Sequence, residues 1–290
     1  MVVLAWILAP LQVLSQIEVI SEKCLSDSPF DDRYGSYSPS GKQILFESNR
    51  DGNWEIYLMD ADGTNQRQLT TDSSDDRRSS WHPSEEAILF ESNRSGKNEL
   101  YRLELAGMTV SKITSFDQAE PTFASYAPDG QSIATSLKRS EQISHIVILD
   151  HHGSIIKRLT SSDKRSFYPQ WSHHGREIVY FSRKETNNQD DEIYRVNVVT
   201  GEEHRLTDWP THNFCPSWSR DDRRIVYVTS METVRPEIYL MDTTGKNPTR
   251  LTYNEDGDTL PFWSPTEDKI LFTGYRNGNF EICVMEIAIK

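Results

Sequence analysis

The chain has 290 residues, 36% of them hydrophobic, and a net charge of −13 from 44 acids against 31 lysines and arginines. That excess repels a phosphate backbone and an anionic lipid surface, which argues against nucleic acid as a partner and favours a soluble monomer. The length accommodates one large all-β domain or two ordinary ones.

The first element is an apolar run over residues 2–14, VVLAWILAPLQVL. It falls short of the roughly 20 residues of a membrane-crossing helix, so no transmembrane span is expected. It suits the apolar part of a signal peptide over residues 1–15, with Val13, Leu14 and Ser15 as the cleavage region. No Lys or Arg precedes it. With the signal the mature protein is periplasmic or secreted, and without it cytoplasmic.

From there an aromatic, a turn and an Ile seven residues later recur six times. The pairs are Tyr37 and Ile44, Trp81 and Ile88, Tyr126 and Ile133, Trp171 and Ile178, Trp218 and Ile225, and Trp263 and Ile270. The aromatics are 44, 45, 45, 47 and 45 residues apart. Each aromatic ends a short strand A. The turn that follows is fullest at Pro128, Asp129 and Gly130, where Pro presets φ and Gly accepts positive φ. Strand B is β-prone, as in ILFES from Ile44 and IVYVT from Ile225. Strand C follows, as in EIYLM from Glu55 and again from Glu237. Strand D carries Leu69-Thr70 or its equivalent. Four short antiparallel strands repeated six times predict an all-β six-bladed β-propeller over residues 17–290.

The ends of the chain complement each other. The last repeat lacks a strand D, while residues 24–33 align with residues 68–77 at an offset of 44. The N-terminal strand should therefore join the last blade and close the ring. If Tyr57 opposes Gln68, then Cys283 opposes Cys24, within disulfide reach. Cys215 is left over, beside Trp218.

These units resemble the PD40, or WD40-like, repeats of the TolB-type six-bladed propeller family. The residues that carry the likeness are YAPDG from Tyr126, the run from Ile44 to Gly63, and QLT from Gln68, with their counterparts in other blades. The resemblance covers residues 19–290. It implies a protein-interaction scaffold, and a periplasmic one. The α/β domain that precedes the propeller in the family's namesake is not expected here.

The B–C and D–A loops should share one mouth of the ring. A basic residue lies 13 positions after the anchor in most repeats, including Arg50, Arg94 and Arg276, and strand C opens on a Glu in five of six. These could form a repeated Arg–Glu pair across each hairpin or a charged ring around the mouth. Trp54 and Phe280 share one slot in blades one and six, neighbours after closure. Aromatics beside Arg are the composition of a binding hot spot. Trp54, Phe280, Arg50, Arg94 and Arg276 are therefore the expected contacts for a protein or peptide partner. Asp31-Asp32 and Asp75-Asp76 could hold Ca²⁺ at that mouth, although capping turns and pairing with Arg33 and Arg77 is the simpler role. No other cofactor is expected. The histidines scatter over both rims, and no nucleophile elbow is present. The expectation is a non-enzymatic binding module. The alternative is a carbohydrate-active lyase or hydrolase with a site in the central channel.

Overall fold

A computed structural model describes residues 17–161, 164–183 and 190–290. The apolar run read as a signal peptide lies outside them. Among the described residues every regular element is a strand, and the strands form six four-stranded antiparallel sheets. Blade one runs outward through strand A (Asp32–Tyr37), B (Gln43–Ser48), C (Glu55–Asp60) and D (Arg67–Gln68). Blades two to five repeat this order. In blade six, strands Asp258–Trp263, Lys269–Arg276 and Asn279–Ile289 are completed by the N-terminal strand Ile17–Cys24. Its register sets Ile17 opposite Ile289 and Cys24 opposite Cys283.

A blade is buried on both faces because each sheet is covered by its two neighbours. This is why strands B and C read as continuous apolar runs rather than alternating ones. One cluster joins Leu45, Ile56 and Leu58 of blade one to Ile88, Phe90 and Tyr101 of blade two. Another joins Ile44, Phe46 and Met59 of blade one to Leu271 and Ile282 of blade six. Closure thus buries the same kind of apolar wall as every other blade junction.

The C–D turns fit against the preceding blade with little clearance. Gly63 has φ 94°, and a Cβ there would lie 2.7 Å from the Leu25 carbonyl oxygen. The Asp-Gly signal in this hairpin therefore answers both a left-handed conformation and a close approach of backbone to backbone.

Candidate functional site: the central channel and its two mouths

Strand A lines the channel, and in each blade it carries a bulge at the same register. The residue three before the anchor aromatic has positive φ in all six copies. These residues are Tyr34, Arg78, Phe123, Tyr168, Cys215 and Leu260, with φ between 49° and 62°. The ladder to strand B shifts there in every blade, for example between Arg33 and Ser36. A bulge re-aims the side chain it carries, and here the six meet around the axis. Tyr168, Cys215 and Leu260 form one apolar cluster against which Tyr34 and Phe123 pack. Phe123 lies edge-on to Tyr168 at 5.4 Å, and the Arg78 guanidinium sits 4.5 Å from the Phe123 ring centre.

The bulge N–H groups are satisfied from the neighbouring blade. Arg78 N donates to Glu47 at 3.0 Å, Phe123 N to Glu91 at 2.6 Å, Tyr168 N to Ser136 at 3.1 Å and Tyr34 N to Thr273 at 3.3 Å. In these four the acceptor is the fourth residue of the strand-B motif counted from its Ile. The Glu of ILFES is therefore a buried inter-blade bond. Its signal was present in the sequence as an acid inside an otherwise apolar strand.

Arg78 is the one charged member of the axial ring. Its Nη1 reaches Glu91 at 2.8 Å and Thr122 at 3.2 Å, and the guanidinium lies 5.8 Å from the Tyr34 ring centre. Burial works against the guanidinium charge, but the adjoining Glu91 carboxylate outweighs it and holds the Arg78 pKa above its ordinary value.

On the side of the A–B turns the axial ring is the floor of a cavity of about 380 Å³. Ser36, Ser80, Ser125, Gln170, Ser217 and Phe262, each one before the anchor, line its wall. The anchors stand behind them. Trp81 Nε1 donates to Ser36 O at 3.3 Å and Trp218 Nε1 to Gln170 O at 3.1 Å, so each ties its blade to the one before. Pro39, Pro83, Pro128, Pro265 and His173 complete the rim. His173 Nδ1 is 2.8 Å from Asp222 Oδ1. Against the upward push of burial, hydrogen bonds from His173 and His174 hold the Asp222 carboxyl below its usual range.

The opposite mouth carries the residues singled out from the repeats. Arg50, Arg94 and Arg276 do not pair with the strand-C glutamates. They reach the fully buried Asp that opens strand A of their own blade: Arg50 to Asp32 at 2.9 Å, Arg94 to Asp76 at 2.6 Å and Arg276 to Asp258 at 2.8 Å. The expectation of an Arg–Glu hairpin pair is corrected accordingly. The glutamates are bonded instead to the Thr just after strand D, as in Thr70 to Glu55 at 2.6 Å. Asp31 and Asp75 accept the N–H groups of Phe280 and Trp54, each at 3.1 Å. Among the described residues no three of His, Cys, Asp and Glu are grouped to hold a metal.

Trp54 lies between two guanidiniums, Arg33 at 4.0 Å and Arg77 at 4.8 Å from its ring centre, and Arg33 is 5.6 Å from the Phe280 ring. Both arginines converge on buried Glu47, at 3.7 and 3.3 Å. Burial is the main cause that lowers the Arg33 pKa. The structure thus brings Trp54 and Phe280 together through Arg33, while Arg50, Arg94 and Arg276 each stay within their own blade. Arg33 and Arg77 share one slot, four before the anchor, and that repetition was the signal for the stack.

Cys24 and Cys283 are disulfide-bonded with their Cα atoms 3.7 Å apart, and Cys215 is a buried free thiol. No helix among the described residues is long and apolar enough to cross a membrane.

The likeness to solved structures is one of fold. TolB from Acinetobacter baumannii superposes with a TM-score of 0.69 at 18% identity, over 90% of this chain and 66% of that one. This chain therefore spans just under two thirds of that protein. Oligogalacturonate lyase from Vibrio parahaemolyticus gives 0.62 at 15% identity, over 94% of this chain and 98% of that one. The tricorn protease gives 0.66 at 14%, over 84% of this chain and 24% of that one. The family model described as the TolB beta propeller domain matches residues 10–165 and 138–289, nearly the whole sequence. The six four-stranded blades agree with it, and the chain belongs to the TolB β-propeller (PD40) family.

Proposed function

We propose that this propeller is a non-enzymatic scaffold that grips a segment of another protein in the axial cavity on the A–B side. The cavity itself is the observation that carries the reading. At about 380 Å³ it is in the range of ligand pockets, with an aromatic floor and a few placed polar groups. Arg78 and His173 are the ionisable side chains other than tyrosines among the described residues that line it. Acid–base chemistry of the lyase or hydrolase type calls for several converging carboxylates or imidazoles, so binding is the better account. Export to the periplasm or cell exterior is supported by the apolar N-terminal run and by the Cys24–Cys283 bond, which persists in an oxidising compartment.

A second reading places the partner at the opposite mouth, on Trp54 and Phe280 with Arg50, Arg94 and Arg276 around them. It is favoured by the Arg33–Trp54–Arg77 stack. One experiment separates the two. Peptides selected from a display library on the immobilised protein are re-tested on Ser125→Trp, which fills the cavity, and on Trp54→Ala. Loss on the first alone supports the cavity. Loss on the second alone assigns the partner to the opposite mouth. A library that yields no binder overturns both.

A further inference from the structure

The polar groups of the cavity are not spread evenly around the axis. Ser36, Ser79 and Ser80 line it from blades one and two, beside Arg78. The hydroxyl oxygen of each is buried without a hydrogen-bond partner, and so is Arg78 Nε. Native structures leave few such groups, and each calls for an explanation. Four in one corner of one cavity, all able to donate, point to an acceptor-rich ligand.

Arg78 is itself unnecessary for closing the ring. The five equivalent slots hold Tyr34, Phe123, Tyr168, Cys215 and Leu260, and these pack across the axis as apolar groups. A buried ion pair is generally no more stabilising than an apolar residue of similar size. Arg78 nonetheless adopts a φ of 50°, keeps 23% of its side chain exposed, and requires buried Glu91 to balance it. An arginine fork is the side chain suited to planar, two-pronged recognition of a carboxylate.

The axial ring forms the floor, so a chain end entering from the A–B mouth meets Arg78 there. At that floor the arginine fork favours the carboxylate end of a chain over its amine end. We propose that the cavity captures the C-terminal carboxylate of a protein tail. Arg78, Ser36, Ser79 and Ser80 receive the carboxylate, and Phe123, Tyr168 and Leu260 pack the last side chain. This rests on the reading that the cavity is the binding site and specifies what it recognises.

The test uses three short probes: acetyl-Gly-Gly-Phe as the free acid, the same tripeptide as its C-terminal amide, and acetyl-Gly-Glu-Phe-amide. Binding is followed by saturation-transfer NMR and titration calorimetry. The free acid should bind at least tenfold more tightly than either amide. The paired variant Arg78→Met with Glu91→Gln removes the fork without stranding a buried carboxylate, and should bind acid and amide alike. Should that variant melt early, Ser80→Ala serves in its place, with a several-fold loss for the acid and no change for the amide. Equal affinity for acid and amide, or an internal Glu that substitutes for the terminus, overturns the inference but leaves the cavity as a binding site. Failure of all three probes overturns it as well, and whether the cavity binds any peptide is then decided by the display experiment above.

Discussion

The Thr70 hydroxyl donates to Glu55 at 2.6 Å while its oxygen accepts the Ile56 N–H at 2.9 Å. The same double contact recurs at Thr114 with Glu99, at Thr252 with Glu237, and at Ser26 with Glu281 and Ile282. It ties strand D to the start of strand C. Thr70→Val should destabilise the fold by about 2 kcal/mol, because it leaves a buried carboxylate and a buried N–H each short of a partner. In blade three the Glu slot is His145, and Thr160 bonds only the Ile146 N–H at 2.9 Å. Thr160→Val should therefore cost less. Urea titration of both variants checks the order, and equal losses would show that the carboxylate is irrelevant.

Arg94→Ala removes the partner of Asp76, which is fully buried. Stranding a buried charge costs about 3 kcal/mol or more, and Asp76→Asn added to Arg94→Ala should recover part of it. The measurement is the shift in denaturation midpoint of the single and double variants. A neutral Arg94→Ala would mean that the arginine is free to serve a partner instead.

The bond between Cys24 and Cys283 closes a loop with a sequence separation of 259. On the chain-entropy account a cross-link of that span stabilises by about 5 kcal/mol, or about 10 °C in melting temperature for a chain of this size. Cys24→Ser, or reduction, should show that loss in a calorimetric scan. Thiol titration of the denatured, unreduced protein should find one free thiol, that of Cys215. Three thiols in material from an oxidising compartment would refute the bond.

Burial raises the pKa values of Glu55, Glu91, Glu192, Glu237, Glu281, Asp76 and Asp258 above their ordinary values of 4.5 and 3.8. The folded state then binds protons more readily than the unfolded state, so their contribution to stability falls as pH rises above that range. His145, whose pKa burial lowers, works in the opposite sense below about pH 6.5, one group against seven. Asp222 and Asp242, with lowered values, lose their contribution only as pH falls below about 3.8. Melting temperature should rise as pH falls towards about 4.5 and drop below about pH 3.8. Glu237→Gln should flatten the upper limb. A monotonic fall from pH 7.5 downward would contradict this balance.

Much of the fold was legible in the residues because a propeller repeats. An anchor such as Trp81 followed seven residues later by Ile88 names two adjacent strands and their register at once. Six copies make that register certain where one would not. The closing strand was readable for the same reason, since Cys24 occupies the slot of Gln68. What escaped was every interaction between blades. Glu47 and Glu91 stand out as acids inside apolar strands, but that each bonds the bulge of the following blade is visible only in the fold. Arg50 and Arg94 looked like mouth residues facing solvent, but each folds back onto the Asp at the start of strand A.

The sequence by itself determined the number of blades, the strand order, the pairing register within a blade and the meeting of the two ends. Each depends on local spacing and on the two-residue period of a strand. Only the tertiary structure decided where the channel is closed and which face is hollow. That depends on the positive-φ bulge at Tyr34, Arg78, Phe123, Tyr168, Cys215 and Leu260, residues whose types have nothing in common. At Tyr34, Arg78, Phe123 and Tyr168 it is held by acceptors on neighbouring blades, residues too far along the chain for local spacing to reveal.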